Sequence, residues 1–124
     1  MALIGFTVFR EKILDGTKTQ TIRKPRKRPI KAGETLYLYW HARRLDCELL
    51  KVVQCSEVLV KKWGEMKNDL ELAKRDGFSG LEDFRNWFVM HYNPTDETEF
   101  IVIRWGDKDV ENEAQKKSLV SLKR

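Results

Sequence analysis

The chain is poor in the residues that build metal, redox and disulfide chemistry. Only two cysteines, Cys47 and Cys55, occur in 124 residues. Both fall in or beside one strand-like run, so no bond between them is expected. Two cysteines also make no secreted disulfide framework. The only histidines, His41 and His91, lie far apart in sequence and have no ligand spacing. His91 falls near a helix face that carries Trp87 and Phe88, which favours a packed histidine. There is no CxxC pair, serine nucleophile elbow, GxGxxG or Walker pattern, so no metal and no cofactor is expected. No apolar run is long enough to span a membrane, and the opening MALIGFTVFREK lacks the pattern of a secretory signal. A reducing cytoplasm is the expected compartment, and no protein partner is evident.

Charge, by contrast, is abundant. Charged residues make up 35% of the chain and hydrophobic ones 41%, which fits a folded protein with a well-charged surface. The length argues for one domain able to bury a core of its own. Lys and Arg outnumber Asp and Glu by 24 to 19, for a net charge of +5. The excess is modest, but it is clustered. Six of the nine residues from Arg23 to Lys31 (RKPRKRPIK) are basic, and local potential matters more to a polyanionic partner than the total does.

The pattern of elements is strand, helix, strands, helices, strand. Ala2 to Phe6 reads as a short apolar strand. A helix is expected from about Val8 to Asp15, ended by Gly16. Thr19 to Arg23 is rich in β-branched residues and reads as a short strand. Lys24 to Gly33 is a loop, because Pro25 and Pro29 break any ladder. Glu34 to Trp40 alternates and is aromatic. Asp46 to Val60 reads as a long bent strand, or two strands broken near Gln54 to Ser56. Asn68 is the expected cap of a short helix that stops at Gly77. Ser79 with Glu82 matches a capping box for a second helix, whose Leu81, Phe84, Trp87 and Phe88 share one face and which Pro94 ends. Glu99 to Trp105 is the last strand. Residues 1–106 form the expected domain and 107–124 a charged tail, with a helical turn near Ser118 to Leu122. Without regular β-α alternation, a small, mostly antiparallel barrel with helices packed on it is expected rather than a doubly wound sheet.

One stretch concentrates chemistry. In DGTKTQTIR, residues 15 to 23, a lysine stands just past the helix-ending glycine. In the strand that follows, Thr21 and Arg23 share one side and Ile22 takes the other. Alternation does not settle where Lys18 points. Crowding by Arg23 and Lys24 disfavours its charged form, and partial burial would let it titrate low enough to act as a base or nucleophile; a lysine in a turn is otherwise simply solvated. The basic loop, with Arg23, Lys24, Arg26, Lys27 and Arg28, suits phosphate contact more than base reading. Tyr39, on the aromatic strand, is a candidate to stack an unpaired base or to serve as half-buried core. Asp76 sits at a helix C-terminus, where the macrodipole disfavours a carboxylate and a nearby cation would compensate.

GTKTQTIR resembles the GxKxxxxR signature of the ASCH domain, a family with a PUA-like β-barrel. AKRDGF, Ala73 to Phe78, resembles that family's Ala-x-x-acidic-Gly-Phe stretch before a helix. The likeness runs from about Leu3 to Trp105. It implies an α+β fold, a small and mostly antiparallel PUA-like barrel with flanking helices. It also implies action on RNA or on a modified nucleoside or nucleotide. One branch of the family hydrolyses the acetyl amide of acetylcytidine with a lysine, a threonine and a glutamate. On this chain these match Lys18, Thr21 and Asp76, the last being one methylene shorter than the family's glutamate. Another branch shows ribonuclease activity. Three readings follow: an amidohydrolase, a non-catalytic RNA-binding module, and a ribonuclease using the same cleft.

Overall fold

The computed structural model describes residues 1–106; the charged tail and its expected helical turn lie outside the described residues. The elements run β1 (Ala2–Phe6), α1 (Arg10–Asp15), β2 (Gln20–Arg23), β3 (Thr35–Trp40), β4 (Glu48–Lys62), α2 (Trp63–Met66), α3 (Leu70–Arg75), α4 (Leu81–Tyr92) and β5 (Glu99–Trp105). The five strands form one sheet in the order β1-β3-β4-β5-β2. Only β1 and β3 are parallel; the other three pairings are antiparallel. The mixed sheet curls into a half-barrel, with β1 and β2 at its two edges.

Strand β4 makes the curl possible. Its first half pairs with β3 and its second half with β5, and the register slips between Cys55 and Glu57. An irregularity of this kind bends a strand and raises its twist. The bend expected near Gln54 to Ser56 is therefore a kink within one continuous strand.

Two apolar clusters hold the layers. One fills the hollow of the sheet with Ile4, Phe6, Ile13, Leu36, Leu38, Val53 and Ile103. The other lies between the sheet and the helices and joins Ile22, Trp63, Phe84, Phe88 and Phe100. Phe84 and Phe88 are one turn apart on α4 with ring centroids 5.0 Å apart, and Trp63 stacks on Phe88 at 5.3 Å. Burying one such ring stabilises the fold by ~1.5–3 kcal/mol. Trp63 is supplied by α2, a single turn that the sequence pattern does not announce.

The helix starts differ from expectation. Asp69, not Asn68, caps α3 by accepting from the Leu72 N–H; Asn68 instead accepts from the Arg85 guanidinium. Helix α4 begins after Gly80 without a side-chain cap, because the Ser79 hydroxyl turns to Asp83. The stops agree better. Gly16 ends α1 in the left-handed conformation (φ 86°), and Asn93 ends α4 the same way just before Pro94.

Candidate functional site

The turn after α1 is pinned on both sides. The Lys18 N–H donates to the Lys12 carbonyl at 2.9 Å, and the Thr19 N–H to the Arg75 carbonyl at 3.1 Å. These bonds aim the Lys18 side chain inward, where only 3% of the residue is exposed. Its Nζ donates to the backbone carbonyl of Asp76 at 2.6 Å and lies 3.4 Å from Asp76 Oδ2. The rings of Phe6 and Phe9 flank the ammonium at 5.6 and 5.5 Å.

Asp76 is the C-terminal cap of α3 and is itself 6% exposed. The cation that its position at a helix end calls for is Lys18. Burial pushes the Asp76 carboxyl up and the Lys18 amine down from their ordinary ranges, since low dielectric penalises both charged forms. Their mutual attraction and the Gln20 amide beside Asp76 oppose this only in part. Arg23 and Lys12 press the lysine further down. Burial, more than crowding by like charge, is the main cause. Lys24 is not part of it, because its Nζ lies over the Phe100 ring at 5.3 Å.

Thr21 and Arg23 share a side of β2, as alternation requires. Thr21 is buried, and its Oγ1 accepts from Arg23 Nε at 3.1 Å. The threonine hydrogen is thereby left to donate elsewhere. Arg23 also donates to the Gly5 carbonyl at 2.5 Å and stacks over Phe6 at 5.0 Å.

These four residues line one cleft of about 300 Å³ at the open side of the half-barrel. Its other walls are Gly5 to Phe9 after β1, Phe78, and the α4 residues Trp87, Phe88, His91 and Tyr92. The volume is at the low end for small-molecule sites and the walls are largely aromatic, as such sites usually are. His91 is exposed at the mouth and stacks on Trp87 at 4.0 Å. Its Nδ1 lies 2.8 Å from the Trp87 carbonyl, so that nitrogen carries the proton and donates. Among the described residues no group of three His, Cys, Asp or Glu can hold a metal, and no helix is long and apolar enough to cross a membrane.

The basic loop divides. Arg23 alone belongs to this cleft. Arg26 and Arg28 line a second, wider depression of about 880 Å³, together with Tyr39, Arg43, Glu34 and Cys47. Lys24 and Lys27 line neither. Ile30, at the end of the loop, is buried in the barrel cluster, and the second depression also takes in Met1 to Leu3 at the start of β1. The sequence pattern did not mark Gln20, Trp87 or Tyr92 as site residues, and Trp87 read only as part of the apolar face of its helix. Gln20 did carry a signal: it shares parity with the core residue Ile22, and a polar side chain at a core position needs partners.

No family model and no curated protein matches the chain. Solved structures do. An ASCH domain from Lactobacillus crispatus superposes with a TM-score of 0.62 at 11% identity, covering 85% of this chain and 77% of that one. Hypothetical protein PH0355 gives 0.60 at 17%, covering 85% and 96%. Protein EF3133 from Enterococcus faecalis gives 0.56 at 14%, covering 78% and 67%. At such identities the likeness is one of fold. The chain has the α+β, PUA-like fold of an ASCH domain.

Proposed function

We propose that this ASCH-type fold serves a hydrolase that breaks the acyl amide of a modified cytidine, in RNA or as a free nucleoside. The observation that carries the reading is the meeting of Lys18 and Asp76 inside the aromatic cleft, with Thr21 beside them. The buried pair shares one proton readily, since burial brings its two proton affinities towards each other. In the reactive form the Lys18 amine is neutral and the Asp76 carboxyl is protonated. Water attacks the acyl carbon while Lys18 takes its proton. Asp76 then protonates the exocyclic nitrogen as the carbon–nitrogen bond breaks, releasing cytidine and the carboxylic acid. The free hydrogen of Thr21 donates to the oxyanion of the tetrahedral intermediate. Trp87 and Tyr92 supply faces for the base, and Arg23 a cation for a phosphate or carbonyl.

Purified protein is expected to release cytidine from acetylcytidine, and Lys18→Met to abolish release while circular dichroism stays native. No turnover by the wild type, or equal turnover by the variant, overturns the amidohydrolase reading.

A second reading, RNA binding without turnover, is favoured by the separate depression that gathers Arg26, Arg28, Arg43 and Tyr39. Cations around an aromatic ring suit a single strand, the arginines at phosphates and the ring under a base. The same depression also serves the first reading, by holding a strand whose modified base is presented to the cleft.

A further inference from the structure

Gln20 is fully buried (0% exposed), two residues from Lys18 and adjacent to Thr21, and the reaction outlined above does not use it. A buried amide costs free energy unless its donors and its acceptor are matched. Here all are matched. Nε2 donates to the Leu72 carbonyl at 2.9 Å and to Asp76 Oδ1 at 3.3 Å, while Oε1 accepts from Arg104 Nε at 3.1 Å. Chemistry decides which way the amide faces. Flipped, it would set oxygen against two oxygens and an N–H against a guanidinium N–H.

Arg104 has its own brace. It stands opposite Gln20 in the β2–β5 ladder and opposite Glu57 in the β4–β5 ladder. Its Nη1 donates to Glu57 Oε2 at 3.1 Å. A row of side chains, Glu57, Arg104 and Gln20, thus crosses three adjacent strands and ends at the carboxylate in the cleft.

We propose that Gln20 is a positioning residue of this site: its amide holds one oxygen of Asp76 so that the other faces Lys18, and Arg104, braced by Glu57, keeps the amide turned that way. The proposal rests on the cleft being a reaction site. An N–H on Oδ1 favours the ionised carboxylate, so its loss makes Asp76 hold a proton to higher pH. The other charged groups facing the pair, Arg23 from β2 and Lys12 from α1, are unchanged by substitution at Gln20.

The test compares full-length wild type, Gln20→Leu and Arg104→Met. The first readout is the carbon-13 NMR titration of the Asp76 carboxyl without ligand, assigned by its disappearance in Asp76→Asn. The midpoint is expected to rise by about one pH unit in Gln20→Leu and by less in Arg104→Met. The second readout is the pH profile of acetylcytidine hydrolysis. Its alkaline limb, where activity falls as Asp76 loses the proton that it gives to the leaving nitrogen, is expected to move the same way, raising activity above both midpoints about tenfold relative to the plateau, with less than threefold loss on the plateau itself. Should Gln20→Leu not fold, Arg104→Met, whose side chain is partly exposed, decides alone. An unchanged midpoint with a uniform loss of turnover at every pH would reduce Gln20 to a packing role and overturn the proposal. A wild type without turnover fails the reaction reading, while the titration still decides the positioning.

Discussion

Arg23, the last residue of β2, donates to the carbonyl of Gly5 in β1 at 2.5 Å, and so joins the two edge strands of a sheet by a side chain where no ladder joins them. The seam of the half-barrel is consequently open enough to hold a cleft yet fixed in width. The same guanidinium holds Thr21 and lowers the proton affinity of Lys18. Edge strands with free backbone groups invite unwanted pairing. Here Arg23 occupies one carbonyl of the β1 edge, that of Gly5, and the chain just before β2 is tied to the end of α3 by the Thr19 N–H on the Arg75 carbonyl.

Replacing that cation has two expected effects. Arg23→Met should lower stability by about 2 kcal/mol, the scale of hydrogen bonds made by a charged donor, as measured by urea unfolding. It should also shift the activity limb set by Lys18 to higher pH. The sign follows from removing a like charge: the ammonium becomes easier to keep, so the neutral amine appears later as pH rises. A pH–rate profile that stays in place while stability falls would show that Arg23 only closes the seam.

The buried pair predicts a strong non-additivity. Lys18→Met or Asp76→Asn alone should cost about 3–5 kcal/mol near neutral pH, because each leaves a buried polar group without its partner. The double variant should lie within about 1 kcal/mol of the wild type, since well-packed neutral residues replace an ion pair at little net cost. In Asp76→Asn the lowered affinity of Lys18 is no longer opposed by a carboxylate. Between its folded and unfolded midpoints the unfolded chain binds a proton that the folded one does not, so stability rises with pH. The variant's deficit relative to wild type should therefore be smaller at pH 10 than at pH 7. A double-mutant cycle in urea at the two pH values measures both points.

Binding of single-stranded RNA should separate the basic residues by place. Neutralising Arg26 and Arg28 together should reduce the slope of log affinity against log salt by about 1.4, at roughly 0.7 per phosphate contact on a single strand. Lys24→Gln should leave the slope unchanged, since that ammonium sits over Phe100 and outside both depressions. Equal effects from all three positions would mean that the loop acts as a diffuse charge and not through the depression.

Much of this protein is local information. Ala2–Phe6 reads as a strand because it is a short apolar run, whose alternate residues the structure buries, and Gly16 ends α1 because only a residue without a side chain takes its turn freely. The order of the strands and of every helix but α2, and the bend in β4, follow from patterns a few residues long, while the grouping of Lys18, Thr21 and Asp76 follows from the resemblance of GTKTQTIR and AKRDGF to the ASCH motifs. What those patterns leave open is every relation across the sheet. Lys18 and Asp76 stand 58 residues apart in the chain, and their contact exists only once β2 has paired with β5 and α3 has packed against its end. Likewise, nothing near Gln20 names Arg104 as its partner; the register of two ladders does. Of the run that reads as one basic cluster, Arg23 lines the cleft, Arg26 and Arg28 line the second depression, and Lys24 and Lys27 line neither. Backbone preference acts over a turn or a strand and is written in neighbouring residues, whereas charge, burial and proton affinity depend on what packing brings from far along the chain.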